Sequence, residues 1–518
     1  MKRYFVLLFL TCCVLGCSTP SEVPSKILRY GIPQAPITLD PAAANDLVYY
    51  QIAFNIFETL ITLDWEKKEF VPRLATSWNT DSTRTRWTFS LQRNIVFHDG
   101  SPLNAEAVKI SLERQFDANS PYYRKDQTET YGEFALSMIK EIQVINDSTV
   151  QFILKYPYSA FLDNIATPNF AAIASPHALK EFGEDFGHHP VGTGPFRFIR
   201  WEPDSQIVIQ KFDHYWGKPP QIDSVIYKVI PSLEAKLQQL RNGEIEVMSG
   251  LSAATTIELY RTPGIKVVEA DMPGTVFLGF NCQTYPFSEI KMRQAVAHAL
   301  NIKSIVNSLS LGFAIVARGP LPPMAIGYDT TLASQSYDPQ LSKALLRSSG
   351  YPPNIAVQLH HFTHTDTLRA DPLVQAIKSA LEKIGLPVEL ILYNDWNAYN
   401  KRVLIEGKGQ LFRDGWLGYT RHPDDFLYPL FHSQSSHNFF KYKNAEVDSL
   451  LEQARRSPDE PTQRVLYRRI QEIILQDVPA VFLSHPKAVY AIRNRVKNFR
   501  VDPLAIPWLN EVSLENEK

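Results

Sequence analysis

The chain has 518 residues and a formal charge of −1, with 53 Lys and Arg set against 54 Asp and Glu. This balance excludes a polyanion partner such as nucleic acid: the basic pairs Lys67-Lys68, Arg455-Arg456 and Arg468-Arg469 are short and scattered, and the last two fall on helical patterns where a solvated face is expected. The apolar fraction of 44% is ordinary for a globular protein. A single core stops growing at roughly 250 to 300 residues, so two or three lobes are expected.

At the amino end, Lys2 and Arg3 precede an apolar run from Tyr4 to Leu15, broken only by Thr11 and followed by Gly16 and Cys17. The run is too short to span a bilayer comfortably and no later run of about 18 uncharged apolar residues follows, so residues 1–16 read as a secretory signal peptide. Val14-Leu15-Gly16-Cys17 resembles a bacterial lipobox, with Val14 where leucine is usual, which implies lipid attachment at Cys17. Ser18 to Ser25 is polar and Pro-bearing, so residues 17–26 are expected to form a lipidated tether. Cys12 and Cys13 would leave with the signal. Only Cys282 then remains, and with no internal disulfide available the fold must be held by burial.

Trp87 to Gln92 alternates, with Trp87, Phe89 and Leu91 against Thr88, Ser90 and Gln92, the period of a half-buried strand. A second strand is expected at Ile95–Phe97, before a tight turn at His98-Asp99-Gly100. Asn104 is a candidate N-cap for a helix bearing Val108, Leu112 and Phe116. Strand-like runs follow at 207–210, 225–230 and 388–392. Ser288 is expected to cap a helix bearing Ile290, Val296 and Leu300, and further amphipathic helices are expected at 373–384, at 447–454 and around Val465, Ile470, Ile473 and Ile474. These elements make an α/β chain of the mixed α+β kind. No internal repeat, low-complexity tract or long linker marks a boundary.

In order, Leu39-Asp40-Pro41, Phe57-Glu58-Thr59-Leu60, Pro72-Arg73-Leu74-Ala75-Thr76-Ser77-Trp78, Trp87-Thr88-Phe89 and Phe97-His98-Asp99-Gly100 are similar to blocks of the family 5 extracellular solute-binding proteins. Gly192-Thr193-Gly194-Pro195-Phe196, Tyr215-Trp216-Gly217, Gly243-Glu244-Ile245-Glu246, Arg293-Gln294-Ala295 and Gly415-Trp416 continue the same series. That family contains oligopeptide-, dipeptide- and nickel-binding receptors of ABC importers. The resemblance implies a periplasmic-binding-protein-like two-lobed clamp with an inserted subdomain in the first lobe. Lobe I is expected at about residues 27–57, 185–273 and 490–518, the inserted subdomain at about 58–184 and lobe II at about 274–489. It also implies a lipid-anchored monomer on the periplasmic or cell-surface side of a bacterial membrane. Its partners would be a short peptide ligand and the permease and ATPase subunits of a transporter, with no cofactor and no catalysis of its own.

A receptor for many peptides takes its affinity from main-chain groups and charged ends, which strand-like pairing reads. In the family, the segment that Gly415-Trp416-Leu417-Gly418 resembles runs beside the ligand backbone, and the loop before Leu39 approaches from the other lobe. Gly415 and Gly418 either allow close approach or shape a turn; Trp416 either lines a pocket or fills the core. Peptide-binding relatives usually place an aspartate just after this block to pair with the ligand ammonium, and here Tyr419 stands there, followed by Thr420, Arg421 and His422. Either Asp424 or Asp425 has taken over that role or the amino end is held differently; Tyr419, Arg421 and His422 also suit a nickel chelate or other non-peptide solute. A secreted hydrolase using Asp424 and Asp425 is a remote alternative, since adjacent carboxylates rarely aim at one bond. His98-Asp99 is expected to be structural. His188-His189 and His360-His361 lack a third metal ligand at known spacing and are expected on the surface. No nucleophile elbow, His-Glu-x-x-His or phosphate loop is present.

Overall fold

The computed structural model describes residues 26–43, 47–123, 131–332, 334–363 and 371–515. The expected signal peptide, Cys17 and nearly all of the tether lie outside the described residues. Strand β1 (Ile27–Ile32) enters a large sheet, and the chain then leaves that sheet to build a separate one. β2 (Ala75–Thr80), β3 (Arg86–Leu91), β4 (Ile139–Asn146) and β5 (Thr149–Leu154) form this four-stranded antiparallel sheet in the order β2-β3-β5-β4. The alternation in β3 buries Trp87, Phe89 and Leu91 on one face. Asn104 caps the helix Ala105–Glu113 by accepting from Ala107 N, and Val108 and Leu112 join Phe89 in the core beneath. Phe116 lies beyond the helix end but packs on the same core.

Residues 95–97 are not a strand. They make one bridge, Val96 to Pro102, because the turn follows at once: Gly100, at φ +83°, donates its N–H to the Phe97 carbonyl at 2.9 Å. Ile95 and Phe97 are buried from an irregular segment.

The chain returns to the large sheet with β6 (Phe196–Glu202), β7 (Gln206–Lys211), β8 (Ser224–Val229), β9 (Val247–Ser249), β10 (Ile265–Asp271) and β11 (Gly274–Phe280). β12 (Ala314–Val316), β13 (Val357–Phe362), β14 (Val388–Tyr393), β15 (Leu411–Leu417) and β16 (Ala480–Arg493) complete it. The order is β14-β13-β15-β11-β16-β9-β1-β8-β7-β6, with β10 and β12 also paired to β16, giving 12 strands. β16 pairs with β11 and β12 through residues 480–486 and with β10 and β9 through residues 487–493. The architecture is mixed α/β.

Three helical expectations need correction. The helix Ile290–Ala299 has Glu289 at its cap position with no side-chain cap, and the Ser288 N–H instead donates to the Thr284 carbonyl. Ile290, in the first turn, faces outward, while Val296 and Leu300 are buried. Val465 is 69% exposed, since the buried stripe of the helix Glu460–Asp477 runs through Tyr467, Ile470, Ile473 and Ile474. Arg455, expected on a solvated face, is buried against Asp424 at 3.1 Å; Arg456, Arg468 and Arg469 are solvated as expected.

Two buried carboxylates tie the separate sheet's segment to the large one. Glu58 accepts from Thr193 Oγ1 at 2.9 Å, Tyr215 Oη at 2.9 Å and Trp216 Nε1 at 2.8 Å, and pairs with Arg73 at 2.7 Å. Four of the sequence blocks thus meet at one side chain whose lone pairs are all used. Asp40 likewise takes both terminal nitrogens of Arg114, at 2.8 and 2.5 Å. Glu58→Ala would strand a guanidinium and three donors, so it is expected to cost about 3–5 kcal/mol of stability. Urea unfolding read by tryptophan fluorescence measures this, and a loss below about 1 kcal/mol would contradict the role given to Glu58.

Candidate functional site

Strand β15 has unequal edges. On one side β11 pairs with its whole length, from Leu411 opposite Phe280 to Leu417 opposite Gly274. On the other side β13 pairs only with Leu411, Phe412 and Arg413. Among the described residues, Asp414 to Leu417 therefore have a ladder partner on one side only, and Gly415 is exposed there. Such an edge is a template for an added extended chain.

The residues singled out from sequence surround this edge in different ways. A side chain at Gly415 would come within 3.3 Å of the Thr275 carbonyl, so the glycine keeps β15 close to β11. A Cβ at Gly418 would lie 2.2 Å from the Phe426 ring, which makes that glycine a packing requirement. Trp416 is buried in the aromatic core with Phe439 and donates Nε1 to the Asp425 carbonyl at 2.9 Å. Leu417, Gly418 and Tyr419 line a small recess with Tyr50, Phe54, Asn169, Leu504 and Ile506. The Tyr419 ring sits edge-on between Tyr50 and Phe170, with centroids at 5.4 and 5.6 Å.

The four residues that follow are committed to the protein itself. Asp425 accepts from Tyr419 N at 2.5 Å and Thr420 N at 2.8 Å, so its carboxylate ties down the turn after β15. Asp424 accepts from Tyr158 Oη at 2.5 Å and pairs with Arg455, whose guanidinium lies 3.7 Å from the Tyr428 ring centre. His422 accepts from Asp424 N on Nδ1 at 3.2 Å, which leaves Nε2 to donate to Gln463 Oε1 at 3.3 Å; burial lowers its pKa. Arg421 donates to Asp163 at 3.2 Å and to the Lys68 carbonyl at 3.0 Å. Asp424 and Asp425 thus neither face one bond nor stand free for a ligand ammonium.

Arg421, Asp163 and Phe70 also form a partition. On one side is a cavity of about 570 Å³ lined by Trp65, Arg73, Arg500 and Trp508 among others. On the other is one of about 240 Å³ reaching Tyr158, Ser159, His422 and Gln463. Asp163 and Tyr158 escaped sequence reading, because nothing local marks a residue whose partner is hundreds of positions away. Arg413, beside this edge and 3.7 Å from Asp371, was not singled out from sequence either.

The histidines divide in two. His98 is structural as expected: it donates to the Gly194 carbonyl at 2.9 Å and accepts from Gly192 N at 3.3 Å, with burial depressing its pKa to about 4. His188 and His189 are exposed around Asp185. His360 and His361 are buried, contrary to expectation, because β13 lies inside the sheet and both of its faces are covered. Among the described residues no group of three or more His, Cys, Asp or Glu could hold a metal ion, and no helix is long and apolar enough to cross a membrane.

Residues 69–438 match the family model described as bacterial extracellular solute-binding proteins, family 5 middle. The dipeptide-binding protein of Escherichia coli (strain K12) is 28% identical over 97% of both chains. The glutathione-binding protein GsiB of Pectobacterium atrosepticum is 30% identical over 90% of both. A periplasmic binding protein, DppA from Helicobacter pylori, solved in complex with peptide STSA, superposes with a TM-score of 0.83 at 29% identity, over 94% of this chain and 98% of that one. These relatives are solute-binding proteins, not enzymes, and their periplasmic-binding-protein fold is the fold of this chain.

Burial pushes the Asp425 carboxyl up to about 7 despite the two N–H groups it accepts. A folded pKa raised above the unfolded value of about 3.9 contributes stability at low pH that is lost as pH rises toward 7. Asp425→Asn keeps an acceptor for both N–H groups and removes this titration. Relative to wild type, the variant is expected to gain stability progressively from pH 4 to pH 7 and to hold that gain above. Urea midpoints at pH 4.5 and 8 measure it, and an unchanging difference between the two proteins would show that Asp425 is not titrating there.

Proposed function

Because this chain belongs to the bacterial extracellular solute-binding proteins of family 5, we propose that it is the receptor of a peptide-class ABC importer. It captures short peptides along the open edge Asp414–Leu417 and delivers them to a membrane permease. The observation that carries this reading is that, among the described residues, Asp414 to Leu417 have a ladder partner on one side only: main-chain pairing there uses donors and acceptors that every peptide has, whatever its side chains. The relatives named for dipeptide and glutathione binding, and the neighbour holding peptide STSA, support a ligand of this size and chemistry.

Capture is a clamp motion between lobe I (about 27–57, 185–273 and 490–518, with the insert at about 58–184) and lobe II (about 274–489). The continuous pairing of β16 with strands of both halves supports a short hinge at this boundary. Contacts from the insert to lobe II favour the closed arrangement, among them Tyr158 to Asp424, Asp163 to Arg421 and the Ser159 N–H to the Arg455 carbonyl at 2.8 Å. The protein acts as a monomer held at the membrane by an acylated Cys17, and ATP hydrolysis belongs to partner subunits.

Native mass spectrometry of the purified chain is expected to show a ladder of bound short peptides. Isothermal titration of the ligand-stripped chain against a mixed di- to pentapeptide library should then give saturable binding. Silence in both measurements would end this reading.

A further inference from the structure

Main-chain capture makes no use of the cavity of about 570 Å³ that Arg421 borders. Two antiparallel ribbons form its sides. One is Ile61–Asp64 paired with Glu69–Pro72, with Trp65 in the turn between them; the other is Arg500–Val501 paired with Pro507–Trp508. Phe54, Leu63, Trp65, Phe70, Leu504 and Trp508 supply most of its apolar wall. The Trp508 ring is fixed in place: its Nε1 donates to Asp502 Oδ2 at 3.0 Å, while Asp502 Oδ1 accepts from the Leu504 and Ile506 N–H groups at 2.9 Å each. Phe54 lies beside it, with 6.4 Å between ring centres. A cavity of this size falls within the range of about 300 to 1,000 Å³ that holds small organic ligands.

Most charges in the lining already have partners. Arg73 pairs with Glu58 at 2.7 Å, Arg421 with Asp163 at 3.2 Å, and Asp502 accepts from its three donors. Glu66, Arg500 and Glu511 form no ion pair among the described residues, but they carry both signs, so charge in the lining selects neither an anion nor a cation. What the chamber offers a ligand is ring surface, on which an aromatic group gains beyond the area it buries. The chamber also adjoins the one-sided stretch of β15. Thr420 and Arg421 belong to its wall, and Thr420 is three positions after Leu417, so the two are within about 11 Å, the reach of three extended residues. Phe54 and Leu504 line both the chamber and the small recess at Leu417, Gly418 and Tyr419, so these two spaces are neighbours.

We propose that this chamber is a second compartment of the peptide site and takes an aromatic side chain of the captured peptide. The inference rests on the reading of Asp414–Leu417 as the place where the peptide main chain pairs. That stretch contributes the affinity common to all peptides, and the chamber adds a preference for those that carry a ring within about three residues of the paired segment.

The test is isothermal titration of the ligand-stripped chain with pentaalanine and with pentapeptides in which a single Phe replaces Ala at each position in turn. At one or two positions Phe is expected to tighten binding about tenfold or more, through burial of its ring. Thr62→Trp fills the chamber from a half-buried position on the first ribbon, and Trp65→Ala removes a ring from its wall. Each variant should lower the Phe preference while leaving pentaalanine affinity within about twofold, because neither residue belongs to the paired stretch. A pentapeptide carrying the photoreactive residue p-benzoylphenylalanine at the preferred position is expected, on irradiation, to attach to residues 62–70 or 498–511, read by peptide mass mapping. Equal affinities at every position, a Phe preference unchanged in both variants, or attachment confined to other segments overturns the aromatic compartment while leaving peptide capture standing. Failure of every pentapeptide to bind, pentaalanine included, overturns peptide capture and the compartment with it.

Discussion

Strand β16 is the constraint on which the other parts of this molecule hang. Its first half pairs with β11 and β12 and its second half with β10 and β9, so one unbroken extended segment belongs to both ends of the sheet. At the changeover, Met272 N donates to the Pro486 carbonyl at 3.0 Å and the buried His485 reaches the Gly274 carbonyl at 3.1 Å. Buried main-chain groups must stay paired, so the junction can bend or twist but not open without exposing orphaned donors and acceptors. β11, which starts at this junction, is also the strand that holds β15 along its whole length. The position of β15 is therefore set by the same hydrogen bonds that join the two ends of the sheet.

Around that spine, buried ion pairs decide which segments sit together. Glu58 fastens the segment of the four-stranded sheet to the β1 side through Thr193, Tyr215 and Trp216, and Asp40 does so through Arg114, while Asp424 and Asp163 meet Arg455 and Arg421 where that segment touches the helices after β15. Replacing such pairs with apolar residues is often neutral for stability, whereas breaking one is costly, so their effect is on specificity of arrangement more than on net free energy. Arg455 is the clearest case: its guanidinium is enclosed by Tyr428, Tyr158 and Phe134, and it fits only if the segment of the four-stranded sheet and the helices after β15 meet in this register.

The block Gly415-Trp416 was legible in the sequence and the duties of the residues around it were not. Gly415-Trp416 stood out as a block, and among the described residues it lies within the stretch of β15, Asp414 to Leu417, that has a ladder partner on one side only. Yet Gly418 answers to a phenylalanine eight positions on, and Asp425 to the turn beside it, so the segment after the edge is a self-contained knot of contacts. Arg455 was expected on a solvated face because a single charge on a helix gives no sign of whether a buried partner will be opposite. The same limit misread His360 and His361: paired histidines look like surface residues until a sheet closes over both faces.

What the sequence determined by itself was local or cumulative. The alternation at Trp87–Leu91, the cap at Asn104 and the Asp-Gly turn each rest on interactions within a few residues, and the ordered family blocks specify the fold because many weak signals agree. Tertiary structure alone decided which charges are consumed and which remain. Tyr158 and Asp424 are 266 positions apart, and Arg421 and Asp163 are 258, yet each pair meets within hydrogen-bond distance. A carboxylate's availability depends on every donor that folding brings to it, and that inventory exists only once the chain has closed around the group.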